Sequence, residues 1–323
     1  MLPKVLPLKD QDIIISEVLR ERLDKILPKA MEEAEIDMWV IACQEDNYDP
    51  IYLTMTPMFP WSPILSILVF YQKENGAPVE KFNLSRVDTR DFYERRFVSD
   101  SNELKLLKEL IEEKQPNKIG LNIGKVNWAA GGLTYNLYQQ IVESLPEKYS
   151  NRIVSAEKAC EKWGMTLTDR EIVLHQHACK LSKAIIKKCF SRDYVTPGVT
   201  TASDLCWAYW QEVNNLGLEV SFQPYFTIVR PGVGRFPKNE VIQNGDFIVN
   251  DVGLKYLRLN TDHQQWAYVL KPNEDNVPDK YNILFSEAQK LQNIFMSEFE
   301  KGLSGNALLN NILNRAKKEG VPN

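Results

Sequence analysis

The chain reads as an α/β domain over residues 1–155 followed by an α+β domain over residues 165–323. Three observations predict this. Apolar strand-like runs alternate with amphipathic helical stretches through the first half. The helical content then rises, and from Leu218 the apolar period changes from the helical repeat to two. At about 150 residues per domain, the 323 residues suffice for two. Hydrophobic residues make up 44% and charged residues 25%, which excludes a disordered, collagen-like or disulfide-scaffold chain.

The first helical stretch, Asp12 to Ala34, carries Ile14, Val18, Leu23, Ile26 and Leu27 at a loosely helical period, which Pro28 is expected to kink or interrupt. Ile36–Cys43, Ile64–Tyr71 and Lys118–Ile123 read as buried strands, with a charged helix, Ser101–Glu113, before the last of them. Ile153 to Gly164 reads as a connector. Thr168-Asp169-Arg170-Glu171 is a capping box opening a helix to about Phe190, with Ile172, Cys179, Ile186 and Phe190 expected on its buried side. After Pro197-Gly198 a second helix carries Leu205, Ala208, Tyr209 and Val213 as its stripe and ends at Gly217. Strands are expected at Leu218–Phe222, Tyr225–Arg230, Asp246–Val252 and Thr261–Leu270. A long helix, about Asp279 to Lys301, has Ile283, Leu284, Leu291, Ile294 and Phe295 on one face. A last helix, Ser304–Lys318, stops at Gly320 and Pro322.

Several function classes drop out. The longest apolar run, Trp61 to Tyr71, is too short to span a bilayer and is interrupted by Ser62, Pro63 and Ser66, so no membrane partner is expected. A net charge of −4 offers no footprint for nucleic acid. The N-terminus lacks the apolar core and cleavage site of a signal peptide, which places the protein in the cytoplasm; a chain already stripped of its signal would read the same way. The five cysteines lack Cys-x-x-Cys spacing and read as reduced, buried thiols. Gly124-Lys125 lacks the glycines of a phosphate loop.

The chemistry concentrates between Gly245 and Asp262. Two strands joined by a short turn around Tyr256 would set Asp251 and Asp262 opposite one another across a hairpin. Phe247, Val249 and Asp251 share a face because strand side chains alternate. A carboxylate at the end of an apolar face is costly unless paired, and a second one facing it adds repulsion unless a cation lies between them. Two readings stand: a site for a divalent ion, or a hairpin in which one aspartate ends its strand in solvent.

Gly245-Asp246 leading an apolar strand to Asp251, then Gly253, Tyr256 and Thr261-Asp262, resembles the metal-binding hairpin of the pita-bread metallopeptidases, whose members include aminopeptidase P, prolidase, methionine aminopeptidase and creatinase. The eleven-residue separation of the two aspartates is that family's. Phe226-Thr227-Ile228-Val229, the Thr168 helix opening and the Thr196-Pro197-Gly198-Val199-Thr200 turn also stand where the family has them. The domain order is similar to that of aminopeptidase P, prolidase and creatinase: a creatinase-like N-terminal domain, then the pita-bread domain.

The resemblance implies a homodimeric Xaa-Pro aminopeptidase or prolidase-like hydrolase acting on peptide N-termini. Asp251 would hold one divalent metal ion and Asp262 would bridge two (Mn, Co or Zn), activating a hydroxide. The family's remaining ligands, a His and two Glu, lie on later strands and in a final hairpin; no His follows His263, and the chain is expected to stop short of them. The pita-bread domain is therefore expected to be incomplete at its C-terminus, the chain being a fragment of a longer enzyme or a degenerate relative that binds no metal. Two further departures follow. Arg230-Pro-Gly-Val-Gly-Arg-Phe-Pro-Lys-Asn239 has no histidine, so Arg235 or Lys238 would bind substrate in its place or simply form a solvated basic loop. His263-Gln264-Gln265 replaces a more apolar run. A non-catalytic peptide- or protein-binding module and a creatinase-like, metal-independent C–N hydrolase are the alternatives. Of the other residues, His175 and Cys179 read as a core pair, Trp207, Tyr209 and Trp210 as core and interface aromatics, and Glu45–Pro50 as a solvated loop that in a dimer would approach the other subunit's site.

Overall fold

The computed structural model describes residues 2–58, 64–125 and 130–321. Trp61, Ser62 and Pro63 of the longest apolar run, and Pro322, lie outside the described residues. The chain divides into two compact units. The first comprises Met1–Ala184 with Leu216–Ser221 and Leu254–Thr261; the second comprises Ile185–Asn215, Phe222–Gly253 and Asp262–Asn323.

The first unit opens with α1 (Leu8–Lys25) and α2 (Leu27–Glu33). The stretch is interrupted at Pro28, as expected: it forms two helices, with Pro28 in the first turn of α2, where its missing N–H costs nothing. There follow β1 (Met38–Gln44), α3 (Pro50–Thr54), β2 (Leu65–Tyr71), β3 (Glu80–Asn83), β4 (Glu94–Arg95), α4 (Glu103–Lys114), β5 (Ile119–Leu121), α5 (Tyr135–Ser144), α6 (Glu147–Ser150), β6 (Ile153–Ser155), α7 (Glu157–Met165) and α8 (Asp169–Cys189).

Six strands form one mixed sheet in the order β4-β3-β2-β1-β5-β6. β1 pairs antiparallel with β2 and parallel with β5. Alternation sends Trp39, Ile41 and Cys43 to one face, where they meet α1, α2 and α7 through Leu23, Met31 and Trp163. Met38, Val40 and Ala42 face the other way, toward Leu107 and Ile111 of α4 and Leu137 and Ile141 of α5. With both faces covered, β1 reads as an unbroken apolar run in the sequence.

Residues 153–164 are not a connector. They supply the edge strand β6, paired parallel with β5, and α7, whose Ala159, Cys160 and Trp163 are fully buried. The run is short and carries Glu157, Lys158, Glu161 and Lys162 on its outer side, which masks its periodicity. The α8 stripe is also shifted: Ala178, Leu181, Ile185, Ile186 and Cys189 are buried, whereas Ile172 is exposed.

The chain continues through α9 (Ala202–Asn215), β7 (Glu219–Val220), β8 (Tyr225–Arg230), β9 (Gly234–Phe236), β10 (Phe247–Val252), β11 (Leu254–Tyr256), β12 (Leu259–Asn260), β13 (His263–Tyr268), α10 (Asp279–Ser297) and α11 (Gly305–Lys318). Strands β12-β11-β7 form a small sheet of the first unit, and β13-β10-β8-β9 form the antiparallel sheet of the second. On α9, Leu205, Tyr209 and Val213 are buried as expected, while Trp207 and Trp210 stack on each other in the open, their ring centroids 5.7 Å apart. The stripe expected on α10 is mostly exposed. Ile294 alone of the five is buried, because its cover among the described residues is Ile312, Ala316 and Val321. Among the described residues no helix is long and apolar enough to cross a membrane.

Candidate functional site

The site is built on β10 and its two neighbours. Gly245, at φ +94°, turns the chain into the strand, and the next residue is an aspartate with 1% of its surface exposed. Arg230 at the end of β8 grips that Asp246 carboxylate with two parallel bonds, Nε to Oδ1 at 2.8 Å and Nη2 to Oδ2 at 2.9 Å; the Gln243 amide donates to Oδ2 as well. This bidentate pair fixes the entry of β10 against β8.

The register then decides what the hairpin presents. β10 pairs antiparallel with β13 from Phe247↔Tyr268 to Val252↔His263, which sets Asp251 opposite Gln264. The expected pairing of Asp251 with Asp262 is therefore corrected. The ladder stops beside Gly253, and residues 254–260 form a second, tighter hairpin. Its turn is Leu257-Arg258, beyond the expected position at Tyr256, and both residues sit at positive φ, 52° and 65°. Thr261 closes the base of that hairpin, its amide donating to the Leu254 carbonyl at 2.9 Å and its Oγ1 accepting from the Leu254 amide at 3.0 Å. Asp262 is left one residue before β13.

Asp262 nevertheless points to the same side as Asp251, because residues 262 and 264 are two apart on an extended chain. Between the two carboxylates lies the Gln264 side chain. Its Nε2 donates to Asp251 Oδ1 and to Asp262 Oδ1, each at 2.7 Å. An amide has two N–H groups on one nitrogen, so a single Gln satisfies both acids. Asp262 and Gln264 are exposed and Asp251 is half-buried.

The same face continues as an aromatic strip. Tyr225 stands opposite Asp251 on the β8 side, and Trp266 and Tyr268 follow Gln264 along β13. The Phe247 ring packs 5.9 Å from Trp266, 5.2 Å from Tyr268 and 4.8 Å from Tyr281 of α10. Trp266 remains 55% exposed. Lys238 sits with its Nζ 5.0 Å from the Tyr225 ring centroid, next to the strand position facing Asp251. Arg235 lies on the edge strand β9 opposite Val229, exposed. The structure thus gathers Asp251, Asp262 and Gln264 and sets Lys238 against Tyr225, while Arg235 stays on the outer edge.

Asn250, opposite in orientation to Asp251 and 1% exposed, turns its side chain into the β13 backbone, bonding the His263 carbonyl and the Gln265 amide. His263 is paired with Val252 and points away from the carboxylates, as expected. His175 and Cys179 touch at 3.7 Å, and His175 Nε2 meets the Asn260 carbonyl at 2.9 Å, a role in packing. The Glu45–Pro50 segment is not simply a solvated loop. Asp49 is fully buried, caps α3 through the Ile51 and Tyr52 amides and accepts from Asn122 Nδ2 at 3.0 Å; burial holds its carboxyl above the ordinary range.

Among the described residues no group of three or more His, Cys, Asp or Glu comes together that could hold a metal ion. Two carboxylates bridged by an amide, whose N–H groups point inward, do not fit a two-metal centre. The sequence marks Gln264 only as a departure from the family's run and leaves Trp266 unmarked, although their even spacing from Asp262 was the available signal for their place on this face.

No protein-family model matches the chain, and no curated protein sequence does either. Solved structures do. The X-Pro aminopeptidase of Thermotoga maritima superposes with a TM-score of 0.65 at 14% identity, over 90% of this chain and 78% of that one. An Xaa-Pro dipeptidase from Bacillus anthracis gives 0.64 at 17% identity, over 94% and 78%. The N-terminal domain of the FACT complex subunit SPT16 from chickpea, Cicer arietinum, gives 0.57 at 11% identity, over 94% and 77%. The chain has the pita-bread fold of these proteins.

Proposed function

We propose that this protein acts on the N-terminal end of peptides as a peptidase-type protein of the Xaa-Pro aminopeptidase and prolidase kind. The observation that carries the reading is a carboxylate pair at the end of an aromatic strip, on a fold it shares with enzymes of that description. The partly open Trp266 face suits a proline ring or another compact apolar side chain. Asp251 and Asp262 are the residues this chain would offer to a divalent ion such as manganese, cobalt or zinc, and Lys238, beside Tyr225, would meet a peptide carbonyl or carboxylate.

A second reading, a module that binds peptides without cutting them, is favoured by the Gln264 amide between the two acids. One experiment separates them. The protein is incubated with saturating Mn²⁺ and a set of Xaa-Pro and Xaa-Ala peptides, with hydrolysis followed by release of the first residue and binding by Trp fluorescence. The peptidase reading predicts cleavage of Xaa-Pro peptides that Asp262→Asn abolishes. Binding without cleavage, lost in Trp266→Ala, supports the module, and absence of both overturns the proposal.

A further inference from the structure

We propose that the side-chain amide of Gln264 is the built-in occupant of the Asp251–Asp262 pair, a neutral donor that a divalent cation has to displace. Bringing two carboxylates onto one face costs free energy through like-charge repulsion unless a positive group or a donor is shared between them. Here the shared group is part of the chain. Nε2 lies 2.7 Å from an oxygen of each acid, a distance at which hydrogen bonds to ionised acceptors are strong. The backbone enforces the arrangement. Gln264 is directly across the ladder from Asp251 and two residues beyond Asp262, so all three share one face and the tip of its side chain reaches both acids.

The consequences for a cation are specific. An ion approaching the pair meets two N–H groups, and only by rotating Gln264 away does it gain the oxygens. The protein then loses two charge-assisted hydrogen bonds, and the ion gains two carboxylates, a small donor set for a hard divalent ion. Gln264 is in this sense a specificity-determining residue: its length and its donor character decide whether the pair is closed by the protein or open to an ion. A shorter residue at 264 would leave the carboxylates facing one another unshared. A glutamate there would turn the closing group into a third ligand.

The inference rests on reading Asp251 and Asp262 as the metal-facing pair, but its test measures cation binding and not turnover. Mn²⁺ is titrated into the full chain, wild type and the exposed-site variants Gln264→Ala and Gln264→Glu, with binding read by calorimetry and by loss of the free Mn²⁺ electron paramagnetic resonance signal. Circular dichroism confirms that each variant is folded. Gln264→Glu is expected to bind one Mn²⁺ at least about tenfold more tightly than wild type, Gln264→Ala to fall between them, and Asp262→Asn in the Gln264→Glu background to abolish the gain. Equal Mn²⁺ affinity in all three proteins, or no binding by either folded variant, overturns the inference. Tighter binding without any peptide hydrolysis would leave it standing while counting against the peptidase reading.

Discussion

Removing the carboxylate of Glu171 should weaken the first unit far more than the loss of a helix cap would. The capping box legible in the sequence is present: the Glu171 amide donates to Thr168 Oγ1 at 3.2 Å and the Thr168 amide to Glu171 Oε2 at 2.8 Å. The same carboxylate also takes Arg22 Nη1 at 2.9 Å, in a pair whose side chains are 9% and 7% exposed. Arg22 is held besides by the carbonyls of Trp163 and Thr166 and lies 4.4 Å from the Trp163 ring centroid. Breaking a buried ion pair costs about 3–5 kcal/mol, and losing a cap about 1 kcal/mol. The carbonyls and the ring still neutralise part of the stranded guanidinium, so Glu171→Ala should cost about 3–4 kcal/mol in all. Glu171→Gln keeps the box, since Gln serves at that position, and should cost about 2–3 kcal/mol. Arg22→Met combined with Glu171→Gln should lose less than the sum of the two single changes, because neither charge is then left alone. Native-state hydrogen exchange of amides in α1 and in residues 169–184 reads the first unit directly. If Glu171→Ala and Glu171→Gln both lie within about 0.5 kcal/mol of wild type, the buried-pair argument is wrong.

Two other sites give sharp expectations. A methyl at Gly132 would lie 2.0 Å from Asp49 Oδ2 and 2.9 Å from Pro50 Cδ. Asp49 is held by three donors and cannot yield, so Gly132→Ala should destabilise the first unit by about 2–3 kcal/mol; an unchanged urea midpoint would contradict this. In the second unit, burial would raise the Glu212 carboxyl, but bonds from Lys188 and Tyr194 bring it below the ordinary range. Its stabilising effect is thus present above the ordinary carboxylate range and lost as pH falls through the lowered folded value. Tyr194→Phe removes one donor and lets the folded value rise, so the acid-side loss of stability should be smaller and end at a higher pH; superimposable profiles of urea midpoint between pH 7 and pH 3 would refute the assignment.

How much was legible follows the range of the interactions involved. The capping box spans four residues and the apolar stretches that became β1, β2, β8 and β10 are local, so they stood in the sequence as the structure has them. Local signals misplace whatever tertiary partners decide. Asp49 looks like a solvated turn residue until Asn122, far along the chain, is seen to donate to it. The segment 153–164 looks like a link until β5 supplies a strand for it to pair with. The hairpin lies between these cases: its strands and its two acids are visible, but its register depends on where Gly253 and Thr261 end one ladder and start the next.

That register links the two halves of the functional argument. A strict period of two places residues 264, 266 and 268 on one side of β13, opposite 251, 249 and 247 of β10, with residue 262 on the same side just before the strand. A hairpin that brings Asp251 and Asp262 together therefore also aims residue 264 at the space between them and residue 266 at the neighbouring surface. The acids alone do not define the chemistry of the pair, because the intervening side chain is imposed by the same geometry that makes them a pair. In this chain that side chain is long enough to reach both carboxylates and carries donors on its tip, and the next one along is an indole set against Phe247. The face is consequently one whose apolar half is left open at Trp266 while its acidic half is closed by the protein itself. On the proposed function, whether the face cuts or only holds would turn on the competition between one amide and one cation for the carboxylate oxygens.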